Sequence, residues 1–218
     1  MIGEAYEYVE QREPWLEDTT MVADVAILSA TALHGDNDYI SSDMGASSML
    51  MQKQILFTII DQHMDFSQYR LLILPDEILV DQTLKSKLED FIKQGGALIL
   101  TNNSGLNVEQ DSFAIDCGLE YTGTSPNDVE YIEAHQLSEY GLVKSPFLVY
   151  ESGITSRVLD AKTLANTWSP EFNRTVGKFC GHRNTPYDRL SDHPSVVKKH
   201  NIIHIEQCFF LLTKLNPC

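Results

Sequence analysis

Ser104 stands beside Gly105 just after a short apolar run. A hydroxyl on a tight turn at the end of a strand becomes a nucleophile when an imidazole is placed to take its proton. Its neighbours, TNNSG over 101–105, form no G-x-S-x-G or G-x-C-x-G pattern, so a simple turn is the better-supported reading. Cys117 is the alternative nucleophile, but its apolar setting (IDCGL, 115–119) favours a buried, inert thiol. His200 and His204 have the i, i+4 spacing that puts two metal ligands on one helical face. Their surroundings are strand-like, however, and four strand residues span about 13 Å, too far to share an ion. Asp36, Asp38 and Asp43 could offer oxygens to a hard cation, yet no glutamate follows at the twelfth loop position, so they read as a solvated acidic turn. No metal and no cofactor is expected. The most site-like stretch holds Trp168, Asn173, Arg174, His182 and Arg183, with Tyr187 close by. Amide, guanidinium and imidazole donors beside aromatic faces suit a sugar hydroxyl surface or a neighbouring subunit. The competing reading is that Arg174 and His182 brace their own loop.

The elements that must carry these residues are clearest in the first half. Residues 22–28 read as a buried strand, followed by a loop rich in Gly, Asp and Asn. Ser41, Ser42 and Asp43 then offer capping oxygens to a helix in which Ala46, Met49, Leu50, Leu56, Phe57 and Ile60 recur at helical spacing, predicting about five turns. A second strand is expected at 71–74. Asp81 then caps a helix with the apolar stripe Leu84, Leu88, Phe91 and Ile92, which Gly95 and Gly96 terminate before a third strand at 97–100. This alternation predicts an α/β layered fold with a parallel sheet, whose ligands would sit beyond the strands' carboxyl ends, at 29–38, 75–80 and 101–107. From Asp111 onward the periodicity weakens. Extended runs are expected at 129–133, 147–150, 157–164 and 195–206, the last as a hairpin turning at His200 and Asn201. The expected organisation is a lead-in over 1–21, an α/β core over 22–125, and a β-rich continuation of the same domain over 126–218.

Charge narrows the partners. The 218 residues carry 16 Lys+Arg against 31 Asp+Glu, a net charge of −15, which disfavours phosphate backbones and anionic lipid surfaces. No nucleic acid and no membrane is therefore expected as partner. The N-terminal stretch lacks the cationic and apolar regions of a secretory signal, and the four cysteines form no CxxC pair, so a cytoplasmic chain with free thiols is the expectation.

Five segments carry a resemblance: GASSML at 45–50, YRLLILPD at 69–76, LEDFIKQGGALI at 88–99, WSPEFNRT at 168–175 and FCGHRNTP at 179–186. In that order they resemble the trimerisation domain of bacterial beta-galactosidases and of related alpha-L-fucosidase-like glycosyl hydrolases. The resemblance implies a class I glutamine amidotransferase-like, three-layer flavodoxin-like fold without amidotransferase chemistry, whose role is subunit association. It also implies that the catalytic carboxylates belong to a preceding barrel, which this chain lacks, so that residues 1–21 lead in from it and the chain alone has no glycosidase activity. The expected partners are copies of itself, that barrel and carbohydrate. An acidic domain of this kind must bury apolar surface to self-associate, with Met49, Met51, Phe57 or the Phe209–Phe210 pair as anchors. Its association should tighten as salt screens the repulsion. Two other functions remain open: a hydrolase using Ser104 or Cys117, and a free-standing sugar-binding module.

Overall fold

The computed structural model describes residues 2–35, 41–182 and 184–208, with the backbone alone for Ser41. Asp36, Asp38, Arg183, the Phe209–Phe210 pair and the Ser41 side chain lie outside the described residues. Among the described residues four α-helices, α1 (Ile2–Glu10), α2 (Ala30–His34), α3 (Ser41–Gln52) and α4 (Gln82–Lys93), accompany eleven strands. The strands of the first half are β1 (Val25–Leu28), β2 (Phe57–Ile60), β3 (Leu71–Leu74) and β4 (Ala97–Thr101). Those of the second half are β5 (Leu119–Thr124), β6 (Glu130–Glu133), β7 (Phe147–Val149), β8 (Ile154–Val158), β9 (Lys162–Pro170), β10 (Tyr187–Lys199) and β11 (Ile202–Ile205).

Nine strands form one mixed sheet in the order β2-β1-β3-β4-β11-β10-β9-β6-β7, and β5 and β8 form a separate antiparallel ribbon. From β2 to β11 the neighbours run parallel, and from β11 to β7 they alternate. The last of the described strands, β11, thus pairs with β4, so residues 202–205 complete the parallel half as well as opening the antiparallel one.

The apolar alternation of the parallel strands explains the layers. Ala26, Leu28, Leu72, Leu74, Leu98 and Leu100 face α4, packing on Leu84, Leu88 and Phe91. Ile27 and Ile73 point the other way, onto Ala46 and Leu50 of α3. Strands buried on both faces need apolar residues at every position, which these runs supply. Asp81 caps α4, its Oδ1 accepting from the Leu84 N–H at 2.7 Å. At the other end the Gly96 N–H reaches the Phe91 carbonyl at 3.0 Å while Gly95 takes φ +96°, a left-handed turn that glycine adopts without strain.

Three expectations need correction. The helix after Ser41 ends at Gln52, and residues 57–60 form the edge strand β2, because Gln54 turns left-handed (φ +55°) and breaks the helical run. Phe57 accordingly packs half-buried against the sheet rather than offering a free anchor. The run expected at 157–164 is the end of β8 plus the start of β9, in different sheets, and the sheet as a whole is mixed rather than parallel. The hairpin at His200 is as expected, with His200 at φ +52° and Lys199 opposite Ile202.

Candidate functional site

The carboxyl ends of β3 and β4 are tied together by two left-handed residues, Asp76 (φ +43°) and Asn102 (φ +48°). Thr101 Oγ1 donates to Asp76 Oδ1 at 2.5 Å and accepts from the Asp76 N–H at 2.8 Å. Asn102 is the left-handed residue directly after β4, and its amide is not a nucleophile. Ser104, two residues on, is fully buried, and its Oγ accepts from the Ile78 N–H at 3.0 Å. Cys117 is 1% exposed and burial pushes its thiol up to about 12. The imidazole nearest this turn is His204, whose Nε2 pairs with the Asn102 carbonyl at 3.1 Å. Burial holds that ring down to about 4, so it is neutral, edge-on to Phe113 at 5.0 Å. Ser104 and Cys117 are thus a turn brace and a core residue.

The expected loop site divides in two. Asn173 accepts from the Asp128 N–H at 3.0 Å and donates to the Pro126 carbonyl at 2.7 Å, so its amide pins the loop before β6. With Arg174, Phe172 and Asn184 it lines a small cavity of about 50 Å³. His182 is exposed, and its carbonyl accepts from the Cys180 thiol at 3.3 Å. Trp168 belongs to another group: its Nε1 donates to Glu133 at 3.1 Å, and its ring meets Tyr187 edge-on at 5.6 Å, with Tyr131 beyond. Hydrogen bonding lowers the Glu133 carboxyl, first from Asn166 and then from Trp168.

A third group is absent from the sequence reading. Glu130 on β6, His193 on β10 and Glu206 after β11 converge beneath the β5–β8 ribbon, both carboxylates fully buried. His193 Nδ1 lies 2.6 Å from Glu206 Oε2, and Nε2 lies 3.5 Å from Glu130 Oε1. Ser125 donates to Glu130 at 2.5 Å, Ser156 donates to Glu206, and Gln207 donates to Glu130 and Thr167, each at 3.1 Å. Burial disfavours charge on His193, yet the two carboxylates outweigh it and hold the imidazolium up to about 10. Burial pushes Glu206 up to about 7. It opposes charge on Glu130 as well, but the bonds from His193, Ser125 and Gln207 keep that carboxyl below its ordinary range. Each ring nitrogen faces a carboxylate, so the protonated ring is the form that both contacts reward. Gly153 permits the approach: a Cβ there would lie 1.8 Å from the Glu206 carbonyl oxygen. The cluster joins strands of both sheets, with its two carboxylates buried and its imidazole nearly so, in the arrangement of a structural latch. The clue in the sequence is a carboxylate within or at the end of an apolar β-run, in VEYI at 129–132 and IIHIEQ at 202–207.

Among the described residues, no helix is long and apolar enough to cross a membrane.

The model of the beta-galactosidase trimerisation domain matches residues 48–201. Beta-galactosidase GanA of Bacillus subtilis (strain 168) is 33% identical over a region covering 48% of this chain and 16% of its own length. Alpha-L-fucosidase isoenzyme 2 from Paenibacillus thiaminolyticus is 32% identical, with a TM-score of 0.87 over 96% of this chain and 32% of that one. The beta-galactosidase from Bacillus circulans sp. alkalophilus shares the fold at 16% identity, with a TM-score of 0.64 over 91% of this chain and 30% of that one. The chain spans a third or less of each. With residues 48–201 matched, the chain belongs to the beta-galactosidase trimerisation domain family.

Proposed function

We propose that this chain is a non-catalytic association domain of a carbohydrate-active hydrolase, packing against copies of itself and against a glycosidase barrel. The observation that carries the reading is an apolar strip along the free edge of the sheet. Met51, Ile55, Leu56 and Ile59 are all exposed beside β2, whose outer side pairs with no described strand. An exposed apolar strip on an open edge is a surface made to be covered. The strand order also supports a flavodoxin-like, amidotransferase-related fold: β2-β1-β3-β4 with β11 in the fifth place is the doubly wound order 2-1-3-4-5. The left-handed residue directly after β4 is Asn102, whose amide is not a nucleophile, consistent with association in place of chemistry.

Sedimentation equilibrium tests the reading. The purified chain should self-associate at micromolar concentration, and Leu56→Asp with Ile59→Asp should shift it to monomer. A wild-type chain that stays monomeric at high concentration would overturn it. A second reading, carbohydrate recognition, is favoured by the half-exposed Tyr187 ring against Trp168, with Glu133 beside them. Saturable binding of galactose or fucose, lost in Trp168→Ala, is its expected signature, with Asn173, Arg174, His182 and Arg183, which follow β9 in the sequence, as candidate polar contributors.

A further inference from the structure

On the second half of the sheet lies a trough of about 610 Å³, floored by Leu137, Leu164 and Ile203 and rimmed by Lys162, Lys198 and His200. Lys162 and Lys198 are register partners on β9 and β10, two like charges facing each other across adjacent strands. Such a pair is destabilising unless something negative lies between or above it. Among the described residues neither lysine forms an ion pair, and Glu139 is the one carboxylate lining the trough. In a chain of net charge −15, a paired-lysine rim over an apolar floor runs against the overall charge.

The complementary piece is α1. Ile2, Tyr6 and Val9 recur at i, i+4 and i+7 and form one apolar stripe, with Glu7 and Glu10 on the remaining surface. No residue of this helix is buried, and Ile2 and Tyr6 are 77% and 74% exposed. Nine residues, a helix of about 13 Å, are too few to hold helical form alone in water. Such a helix requires an apolar surface to lie on. Within one chain the helix and the trough are both present, and no residue of α1 lines the trough: among the described residues the main packing of α1 is on the turn that follows it, Glu13–Trp15.

We infer that α1 of one copy docks into the lysine-rimmed trough of a neighbouring copy, its apolar stripe on the floor and its glutamates against Lys162 and Lys198. The inference rests on the association reading above and names one contact of that assembly. The contact is head-to-tail, helix to trough, and such contacts close into rings where the rotation permits. It also places acidic helices on a basic rim, a local attraction within chains that otherwise repel.

Charge reversal on the full chain tests it by sedimentation equilibrium. Lys162→Glu with Lys198→Glu should weaken association about tenfold, and Glu7→Lys with Glu10→Lys should do the same. Combining all four changes should restore most of the loss, which a merely structural effect would not. Unchanged association in either double variant, or a quadruple variant no better than the doubles, overturns the helix-to-trough contact and leaves the association reading standing. A monomeric wild-type chain overturns both. Helix docked into the trough of its own chain would appear as unchanged sedimentation together with lowered thermal stability in the double variants, and would also overturn the exchange between copies.

Discussion

The two halves of the large sheet are held by different physics. Between β2 and β4 the strands are apolar on both faces and sandwiched by α3 and α4, so stability comes from non-directional burial. Between β11 and β7 one apolar face is backed by the turn at His135–Tyr140, with no long helix over it among the described residues, and the strand ends are joined by the Glu130–His193–Glu206 latch. An apolar core loses stability in proportion to volume removed. A buried ionic latch fails when any member is lost, because the others remain as uncompensated charges. The antiparallel half should therefore be sensitive to pH and to single polar changes, and the parallel half indifferent to pH.

The largest expected effect breaks the latch. His193→Ala leaves Glu130 and Glu206 fully buried without their shared cation, at an expected destabilisation of about 3 to 5 kcal/mol. Urea denaturation followed by circular dichroism measures it, and a loss below about 1 kcal/mol would erase the contrast between the halves. The pH dependence follows from the same residues. His193 holds its proton more tightly folded than unfolded, so its contribution is complete below its ordinary value of 6.5 and is lost as pH rises through about 10. Glu206, raised from 4.5 to about 7, acts in the same sense over that lower window. Glu130, lowered, acts oppositely and loses its contribution on acidification. Wild-type stability should thus fall between pH 7 and pH 10 more steeply than that of His193→Ala; parallel profiles would show that the ring is neutral in the latch.

The next effect probes the apolar half. Leu88→Ala empties a fully buried site between α4 and the sheet and should destabilise by about 3 kcal/mol. The loss should be equal at pH 7 and pH 9, since no titrating group touches that cavity's logic. A pH-dependent loss would mean that the two halves unfold as one electrostatically coupled unit.

The same division governs what could be read from residues alone. Strands β1, β3 and β4 were legible because runs such as LLIL and ALIL are bounded by Pro, Asp or Gly, and helix α4 because its cap, stripe and glycine stop agree. Strand β2 was hidden because Leu56, Phe57 and Ile60 continue the spacing of α3, and only the backbone turn at Gln54 separates them. Helix α2, five residues capped by Ser29 and anchored by Asp43 at 2.7 Å from the Ser29 hydroxyl, was too short to show a period. The latch was hidden for a different reason. Glu130 and Gln207 are 77 positions apart, and their meeting depends on β11 returning to β4, which no local pattern encodes. Of the expected loop residues, Asn173 and Arg174 share a cavity while Trp168 lies in its own aromatic group, because β9 carries the tryptophan away from the loop that follows it.

The smallest effect sharpens the comparison at its boundary. Asp81 is exposed, and its single role is to accept the Leu84 N–H at the start of α4. Asp81→Ala should therefore cost only about 1 kcal/mol, with Asp81→Asn or Asp81→Ser recovering most of it, because the hydrogen-bonding oxygen matters more than the charge. That rescue has no counterpart in the latch, where Glu206→Gln removes the charge His193 needs while keeping the oxygen. If Asp81→Asn restored stability and Glu206→Gln did not, the two carboxylates would be separated by mechanism: one an acceptor at a helix end, the other a counter-ion in the interior. Equal behaviour of the two amides in the same urea titration would reduce the latch to ordinary hydrogen bonding and remove the reason for the antiparallel half to respond to pH.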